Sequence, residues 1–434
     1  MIKNKNIFLG KKILIYGLGL SGISSYNFLI NKAEVYLFDD NIKKKINLKL
    51  KQKLLSFKEI SKINFDKIIV SPGIDILNCK ISSVLQKNLS KICTDLDVFY
   101  SFYKNESITI TGTNGKSTTS KILHEVLLDQ KYDVRLIGNI GNPALSEKKI
   151  TKKTIFVIEI SSYQLEYSQI FTSKYSAILN ITPDHLERHK SLKNYINAKF
   201  KLLKSQSNQS IAFVNKYNDL INKKINDNNL KQKIIKVDPL KNNEILDQLE
   251  NKYFSSSGNK ENIAFVIKIS EILKLNKKIL LRTLNKFKGL KYRQQIIFEN
   301  KNLVIINDSK STSFASTENL LKDLKYVYWI LCGIPKKGDQ FKLSKTHHKN
   351  FKIFVFGKNY RQFKKNLNSK NIVKNFKDLN DTLREIFLDI ANQPKKRNII
   401  LFSPAGASFD SFRNFEDRGL YFNKLVNKFL YAKK

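Results

Sequence analysis

The segment ITITGTNGKSTTS, Ile108–Ser120, sets a lysine and a hydroxyl residue directly behind a glycine-rich turn. Gly112, Thr113, Asn114 and Gly115 lead into Lys116, Ser117 and Thr118. Backbone N–H groups in such a turn approach phosphate oxygens closely, and the dipole of a following helix favours the anion. In a phosphate loop of this kind the lysine reaches the β- and γ-phosphates and the next hydroxyl holds Mg²⁺. The strict pattern needs glycine where Ile110 stands, so TGTNGKST is a shortened variant. Glu159 ends the apolar run Ile155–Ile158, a position from which a carboxylate binds Mg²⁺ directly or through water. His185 follows another apolar stretch, Ala177–Leu179, in NITPDHLERH, with Asp184 and His189 as alternatives beside it. Lys199, in YINAKFKLL, is by pattern alone one lysine among many.

A second group lies towards the C-terminus. INDSKSTSFAST follows Leu303–Ile306 and puts Asp308, Lys310 and Thr312 in a strand-end turn. CGIPKKGD follows Tyr326–Leu331, and SPAGASFDSF follows Asn398–Phe402. Three strand-end turns rich in Ser, Thr, Lys and Gly point to one anion-binding rim, because ligands of open α/β sheets bind at the carboxyl ends of strands.

The elements that must position these residues alternate in type. In residues 1–94, Ile13–Tyr16 reads as a strand, followed by a glycine turn and a helix from Ser21. Gly17, Gly19 and Gly22 fit G-x-G-x-x-G, and a second strand, Glu34–Phe38, ends at Asp39 and Asp40, where a Rossmann unit binds a ribose hydroxyl. A third strand, Lys67–Val70, runs into Ser71-Pro72-Gly73. Residues 95–292 hold the phosphate loop, strand candidates Val134–Ile137, Ile155–Glu159, Ala177–Asn180 and Ile211–Val214, and helix candidates Thr118–Leu128, Leu192–Leu203 and Asn262–Leu273. Lys216–Lys252 is the most polar and least patterned stretch, expected to form loops and short elements. Residues 293–434 alternate again and end in a helical pattern, Leu420–Leu430. Strand alternating with helix predicts parallel sheets. The expected fold is therefore α/β with three domains, 1–94, 95–292 and 293–434: a Rossmann-like N-terminal domain, a central phosphate-loop ATPase domain with a mainly parallel sheet, and a Rossmann-like C-terminal domain.

A chain of 434 residues exceeds one ordinary core. The formal net charge of +41 invites a nucleic-acid reading, but the lysines are spread over the whole chain among abundant Asn and Ile. The longest basic clusters are Lys43–Lys45 and Lys148–Lys153, and no RNA-binding aromatic motif or zinc spacing appears. An A/T-rich coding sequence with lysines on solvated faces accounts for the charge, which would still attract phosphorylated substrates. Cys79, Cys93 and Cys332 are scattered without metal-ligand spacing, as expected of a reduced cytoplasmic protein. Ile7–Leu9 is too short for a signal-peptide core, and no apolar run approaches membrane-spanning length.

Read in order, GLGLSG, SPGI, TGTNGKSTT, GNIGNPAL, EISSYQLE, NITPDHLERH, YINAK, YRQQ, NDSKSTS, CGIPKKGD and SPAGASFDSFRNFEDRG resemble the Mur ligases, and among them the members that add D-glutamate. The shortened phosphate loop is the family's own form. The resemblance implies a UDP-binding domain, a central ATPase and a C-terminal domain that closes over the site, in a monomeric enzyme of peptidoglycan precursor synthesis. It also implies the reaction. The L-alanyl carboxylate of UDP-N-acetylmuramoyl-L-alanine attacks the γ-phosphate of ATP, and the amine of D-glutamate displaces phosphate from the resulting acyl phosphate.

By position, Ser117 and Glu159 would hold one Mg²⁺ and His185 would help hold a second. Lys199 matches the lysine that the family carbamylates, which requires a neutral amine. Gly112, Thr113, Asn114, Gly115, Lys116, Ser117, Thr118, Asn262 and Arg293 would contact ATP, Asp308 its ribose, and Lys310 would sit near the reacting phosphate. Leu18, Ser21, Asp39, Asp40, Ser71 and Gly73 would bind the uridine diphosphate, with Asn139, Ser161 and Gln164 facing the muramoyl-alanine part. Thr312, Lys336, Ser408 and Phe415 would hold D-glutamate, Lys337 competing with Lys336 for a carboxylate. Gly258 and Cys332 stand where the family commonly has His and Gly. Three readings stay beside this one: a ligase adding a different amino acid, a nicotinamide-dependent oxidoreductase resting on GLGLSG and Asp39, and a nucleic-acid-binding ATPase resting on the net charge of +41.

Overall fold

In a computed structural model of the chain, the structure describes residues 6–41, 48–241, 244–336, 338–344, 346, 350–367, 373–392 and 397–431. The basic cluster at 43–45 and Lys337 lie outside the described residues. Two compact units emerge: Met1–Glu250 with Glu261–Lys286, and Asn251–Lys260 with Phe287–Lys434.

The first unit carries two sheets. One is built from β1 (Lys12–Tyr16), β2 (Glu34–Phe38), β3 (Lys67–Val70) and β4 (Ile92–Cys93), in the order β2-β1-β3-β4. Every pairing is parallel. The chain crosses from β2 back past β1 to β3, so the carboxyl ends of β1 and β3 flank the crevice where an open α/β sheet takes its ligand. The glycine turn after β1 and Ser71-Pro72-Gly73 after β3 occupy those two ends.

The other sheet contains β5 (Ser107–Thr111), β6 (Val134–Gly138), β7 (Ile155–Glu159), β8 (Tyr175–Ile178), β9 (Ile211–Asn215) and β10 (Lys233–Val237), ordered β10-β9-β8-β5-β7-β6. It is again wholly parallel. β5 lies between β7 and β8 with all five residues buried, and the helix Lys116–Asp129 packs back on β5, β6 and β7. Strands buried on both faces read as continuous apolar runs, which is why Ile155–Glu159 and Tyr175–Ile178 show no alternation.

The second unit has β11 (Gln295–Glu299), β12 (Leu303–Asn307), β13 (Val327–Leu331), β14 (Ile334–Pro335), β15 (Lys352–Phe356), β16 (Val373–Phe376), β17 (Asn398–Phe402) and β18 (Gly406–Ala407). Its main sheet runs β11-β12-β17-β13-β15-β16, parallel except for the antiparallel edge strand β11. β17 sits between β12 and β13, so all three loops of the expected rim leave neighbouring strand ends. β14 and β18 form a separate two-stranded antiparallel ladder.

Several expectations shift. The strand expected at Ala177–Asn180 ends at Ile178, which frees Asn180 to point its side chain at the phosphate loop. Tyr326, at φ 53°, precedes β13 instead of belonging to it. Lys216–Lys252 holds the helix Asp219–Asn226 and β10, where the β-branched Ile234, Ile235 and Val237 form a strand against β9 within an otherwise polar stretch. The last helix spans Phe415–Tyr431, starting earlier than its pattern indicated.

Candidate functional site

Each unit assembles one cluster of the expected residues. In the first unit, β5 delivers the chain into the phosphate loop and the helix Lys116–Asp129 carries it away. Gly115, at φ 82°, makes the turn, and a Cβ there would lie 2.0 Å from Asn262 Oδ1. Only glycine serves at that position, both for the left-handed backbone and for the approach of Asn262. Thr113 N–H donates to Asn180 O at 2.9 Å and Asn114 N–H to Asn180 Oδ1 at 2.8 Å, so the loop after β8 props the phosphate loop open. Asn180 in turn donates to Glu261 Oε1 at 2.7 Å.

Two lysines converge on one carbonyl. Lys116 Nζ donates to Gly112 O and Thr113 O, both at 2.8 Å, and Lys199 Nζ donates to Gly112 O at 2.8 Å. Lys199 projects inward from the helix Leu192–Lys204, is 1% exposed, and lies 4.6 Å from the centre of the Tyr195 ring. Burial, reinforced by the nearby Lys116 cation, pushes the Lys199 amine well below the ordinary lysine range. A neutral amine is the form that can be carbamylated.

Glu159 ends β7 facing the same space. Its Oε1 accepts from Asn139 Nδ2 at 2.7 Å, while Oε2 is buried with no hydrogen-bond partner. A carboxylate oxygen buried without a donor is costly unless a cation arrives to meet it. Ser117, 2% exposed, opens the helix behind the loop. His185, in a left-handed conformation at φ 55°, begins the one-turn helix Leu186–His189 and places Nε2 3.4 Å from Asp184 Oδ2. Among the described residues no three His, Cys, Asp or Glu side chains form a metal cluster. The Ser117 hydroxyl and the unpartnered Glu159 oxygen are oxygen donors of the kind Mg²⁺ takes. His189, the alternative to His185, is 2% exposed, bonds Ser162 Oγ at 3.0 Å, and is held neutral by burial and the neighbouring Arg188, down to about 4.

Around the first sheet, Leu18 N–H donates to Asp39 Oδ2 at 2.7 Å and Ser71 Oγ donates to Gly17 O at 2.7 Å, tying the ends of β1, β2 and β3 together. Asp40 Oδ2 accepts from Tyr16 OH at 2.8 Å, and its Oδ1 is buried without a partner. Ser21 bonds the buried Asp95, whose carboxyl is raised by burial to about 6 despite that bond. Gly73 has open space where a Cβ would be. Leu18 is partly buried against the core, whereas Leu20, 82% exposed, is the apolar side chain the glycine turn presents. Asn139 is turned onto Glu159, and Ser161 and Gln164 bond each other in a capping box at the start of the helix Ser162–Tyr167. The Ser-x-x-Gln spacing at 161–164 is a capping-box pattern legible in the sequence, whereas the Asn139–Glu159 bond joins residues 20 apart.

The second unit places Asp308, Lys310 and Thr312 on the loop after β12, Ser408 just past β18, and Phe415 at the start of the last helix. Asp308 is 6% exposed and accepts from Ser403 Oγ at 2.9 Å and Gln294 N–H at 3.1 Å. Burial still raises its carboxyl to about 7, against those bonds and the nearby Arg293. Lys310 Nζ stands 4.1 Å over the Phe415 ring. The β14–β18 register, Ile334 with Ala407 and Pro335 with Gly406, puts Lys336 and Ser408 beyond opposite ends of the short ladder. Gly258 opens a helix, Ser257–Ile272, with free space around it.

The residue that pattern reading missed is Arg418. It is fully buried, with Nε 3.1 Å from Ser309 Oγ, Nη2 2.7 Å from Ser309 O, and Nη1 2.9 Å from Gly406 O and 3.9 Å from Cys332 Sγ. One guanidinium thus fastens the loops after β12, β13 and β17. The signal was available: Arg418 shares the buried stripe of its helix with Phe422 and Val426, a charge where the periodicity asks for an apolar residue.

Comparison with known proteins meets this geometry. The Mur ligase middle domain matches residues 110–279, and the Mur ligase MurD-like N-terminal domain matches residues 11–93. The UDP-N-acetylmuramoylalanine–D-glutamate ligase of Rickettsia felis is 34% identical, covering 96% of this chain and 97% of the relative. Its counterpart in Buchnera aphidicola subsp. Schizaphis graminum is 35% identical over 96% and 98%.

The chain belongs to the Mur ligase family.

Within the family its relatives place it on the branch of the D-glutamate ligases, and it is an enzyme of the ligase class. Solved structures agree on the fold. MurC of Thermotoga maritima superposes with a TM-score of 0.56 at 17% identity over 98% of this chain and 100% of that one. MurF of Thermotoga maritima, solved in complex with ADP, gives 0.57 at 14% identity over 100% and 98%. The α/β, multidomain architecture with mainly parallel sheets expected from the sequence is the one observed. No helix among the described residues is long and apolar enough to cross a membrane.

Proposed function

We propose that this chain joins D-glutamate to UDP-N-acetylmuramoyl-L-alanine at the expense of ATP, releasing ADP and phosphate. The observation that carries the reading is the convergence of Lys116 and Lys199 on the Gly112 carbonyl beside the orphaned Glu159 oxygen. A carboxylate attacking a triphosphate must overcome the repulsion of two anions. That task calls for fixed cations and backbone donors more than for a proton-transfer residue. Lys116 and the amides of Gly115–Thr118 would hold the β- and γ-phosphates. A carboxylate oxygen of the L-alanyl group bonds the γ-phosphorus as the bond to the ADP oxygen breaks. The nitrogen of D-glutamate then bonds the acyl carbon, loses its proton, and phosphate leaves.

Mg²⁺, when bound, would offset charge on the triphosphate; Ser117, Glu159, His185 and a carbamylated Lys199 are the residues to hold it, with two ions expected. Carbamylation joins the neutral Lys199 amine to CO₂ and releases one proton, which converts an uncharged base into an anion that attracts Mg²⁺. Asn262, Arg293 and Asp308 serve ATP, with Lys310 near the transferred phosphate. Leu18, Ser21, Asp39, Asp40, Ser71 and Gly73 serve the uridine diphosphate, and Asn139, Ser161 and Gln164 the muramoyl-alanine part. Thr312, Lys336, Ser408 and Phe415 serve D-glutamate. The division at 94/95 and 292/293 follows these three tasks, in a cytoplasmic monomer.

The test is phosphate release from Mg-ATP with UDP-N-acetylmuramoyl-L-alanine and a panel of amino acids. Release with D-glutamate alone is expected. Release with a different amino acid would keep the phosphate chemistry and overturn the amino-acid assignment.

A further inference from the structure

Arg188 links two loops that the proposed reaction uses separately. It sits in the one-turn helix Leu186–His189, directly after His185, with its side chain only 11% exposed. Towards the first sheet, Nη2 donates to Ile74 O at 3.0 Å and Nη1 lies 3.4 Å from Asp75 Oδ1, both in the loop that begins at Ser71. Towards the second sheet, Nη2 pairs with Glu166 Oε2 at 3.2 Å and bonds the Tyr167 hydroxyl. The Tyr163 and Tyr167 rings lie 5.6 and 5.3 Å from the guanidinium carbon. A planar guanidinium can pair along its edges while aromatic rings cover its faces, which an ammonium cannot do.

The contacts continue to the phosphate loop. Glu166 Oε1 lies 3.8 Å from His189 Nδ1, and the His189 ring stacks on Tyr163 at 5.5 Å and leans on Tyr195 at 5.3 Å. The Tyr195 hydroxyl is 3.0 Å from Thr113 Oγ1. On the other side, Ser71 bonds Gly17 O in the glycine turn. A helix of one turn has no stiffness of its own, so its anchors decide where His185 stands.

We propose that Arg188 is a positioning residue that couples occupancy of the Ser71–Asp75 loop by the UDP-linked substrate to the phosphate site. This rests on the reading that the loop binds the uridine diphosphate and that His185 serves the phosphates. A ligand that orders Ile74 and Asp75 fixes the guanidinium, and with it His185, Glu166 and the ring stack leading to Thr113. Binding of each substrate therefore favours the other.

The test is calorimetric titration of a non-hydrolysable ATP analogue with Mg²⁺, with and without saturating UDP-N-acetylmuramoyl-L-alanine. In the wild-type protein the UDP-linked substrate should tighten the analogue about fivefold or more. Arg188→Met should reduce that factor below about twofold while the analogue alone binds within about threefold of wild type. Arg188→Lys should not restore the coupling. Asp75→Asn, which leaves the guanidinium and its rings in place, should lower it part-way, and the double variant should be no worse than Arg188→Met. Full coupling in Arg188→Met, no coupling in the wild type, or additive losses in the double variant would overturn the proposal. A wild-type protein that binds no UDP-linked substrate would overturn the underlying reading together with it.

Discussion

The phosphate-loop cluster of the first unit and the Asp308–Arg418 cluster of the second both bury charge, yet they treat it oppositely. Around Gly112 the charges are left wanting. Two lysines share one carbonyl, one of them is driven towards neutrality, and a carboxylate oxygen of Glu159 has no donor. In the second unit the charges are spent. Arg418 distributes its donors over two carbonyls and a hydroxyl, and Asp308 accepts from a hydroxyl and a backbone amide. Unspent buried polarity is unstable alone and waits for ligands; spent polarity fixes loops in place. The contrast separates a cluster with an unpaired carboxylate oxygen from one whose buried charges already fasten the loops around it, although both sit at strand ends.

Lys199 and Arg418 break the comparison most directly. Lys199→Ala should lower ligation by about 10³-fold, as removal of a preorganised electrostatic group does. Small carboxylates should restore part of that loss, and full activity in bicarbonate-depleted buffer would remove the carbamate from the account. Lys199→Met, which keeps the apolar stem, should leave stability unchanged or raise it by about 1 kcal/mol, because it removes a desolvated amine. Arg418→Met should do the reverse and destabilise by about 3 kcal/mol, since it strands buried carbonyls that cost about 1–3 kcal/mol each. Urea unfolding of the two variants reads both signs.

Glu159→Gln sharpens the same point at the metal side. Loss of the charge should cost about 10²-fold in rate and raise the Mg²⁺ concentration needed for half-activity, without loss of thermal stability. An unchanged Mg²⁺ requirement would detach Glu159 from the cation.

The remaining effects are in pH. His189 titrates near 4 in the folded chain against an ordinary 6.5, so below 6.5 the unfolded chain takes up a proton that the folded one refuses. Stability from this group falls as pH falls towards 4. Asp308 titrates near 7 against an ordinary 3.8, so above 3.8 the unfolded chain loses a proton that the folded one keeps. Stability from this group falls as pH rises towards 7. Across their windows these amount to at most about 3 kcal/mol for His189 and about 4 kcal/mol for Asp308. Urea unfolding near pH 4 and pH 7 should lose the first slope in His189→Gln and the second in Asp308→Asn.

The sequence by itself determined the strand–turn–helix units and the residue types at their ends. Glycine spacing, apolar runs closed by Glu159 or Asp308, and the serine- and lysine-rich turns are local signals, and hydrophobic burial against a parallel sheet leaves them few other folds. TGTNGKST needed only its own residues to announce a phosphate loop. What tertiary structure decided is convergence. Nothing local marks Lys199 among its many neighbours; it becomes singular because the helix Leu192–Lys204 buries it against Gly112, where desolvation and Lys116 act on it together. Asn139 became a partner of Glu159, and Asn180 the prop of the phosphate loop once β8 ended at Ile178. Arg418 and Arg188 became fasteners only when loops distant in the chain came within reach of one guanidinium. Local propensity sets which elements form, but the energy of a buried charge depends on every group around it, and those groups are chosen by the fold.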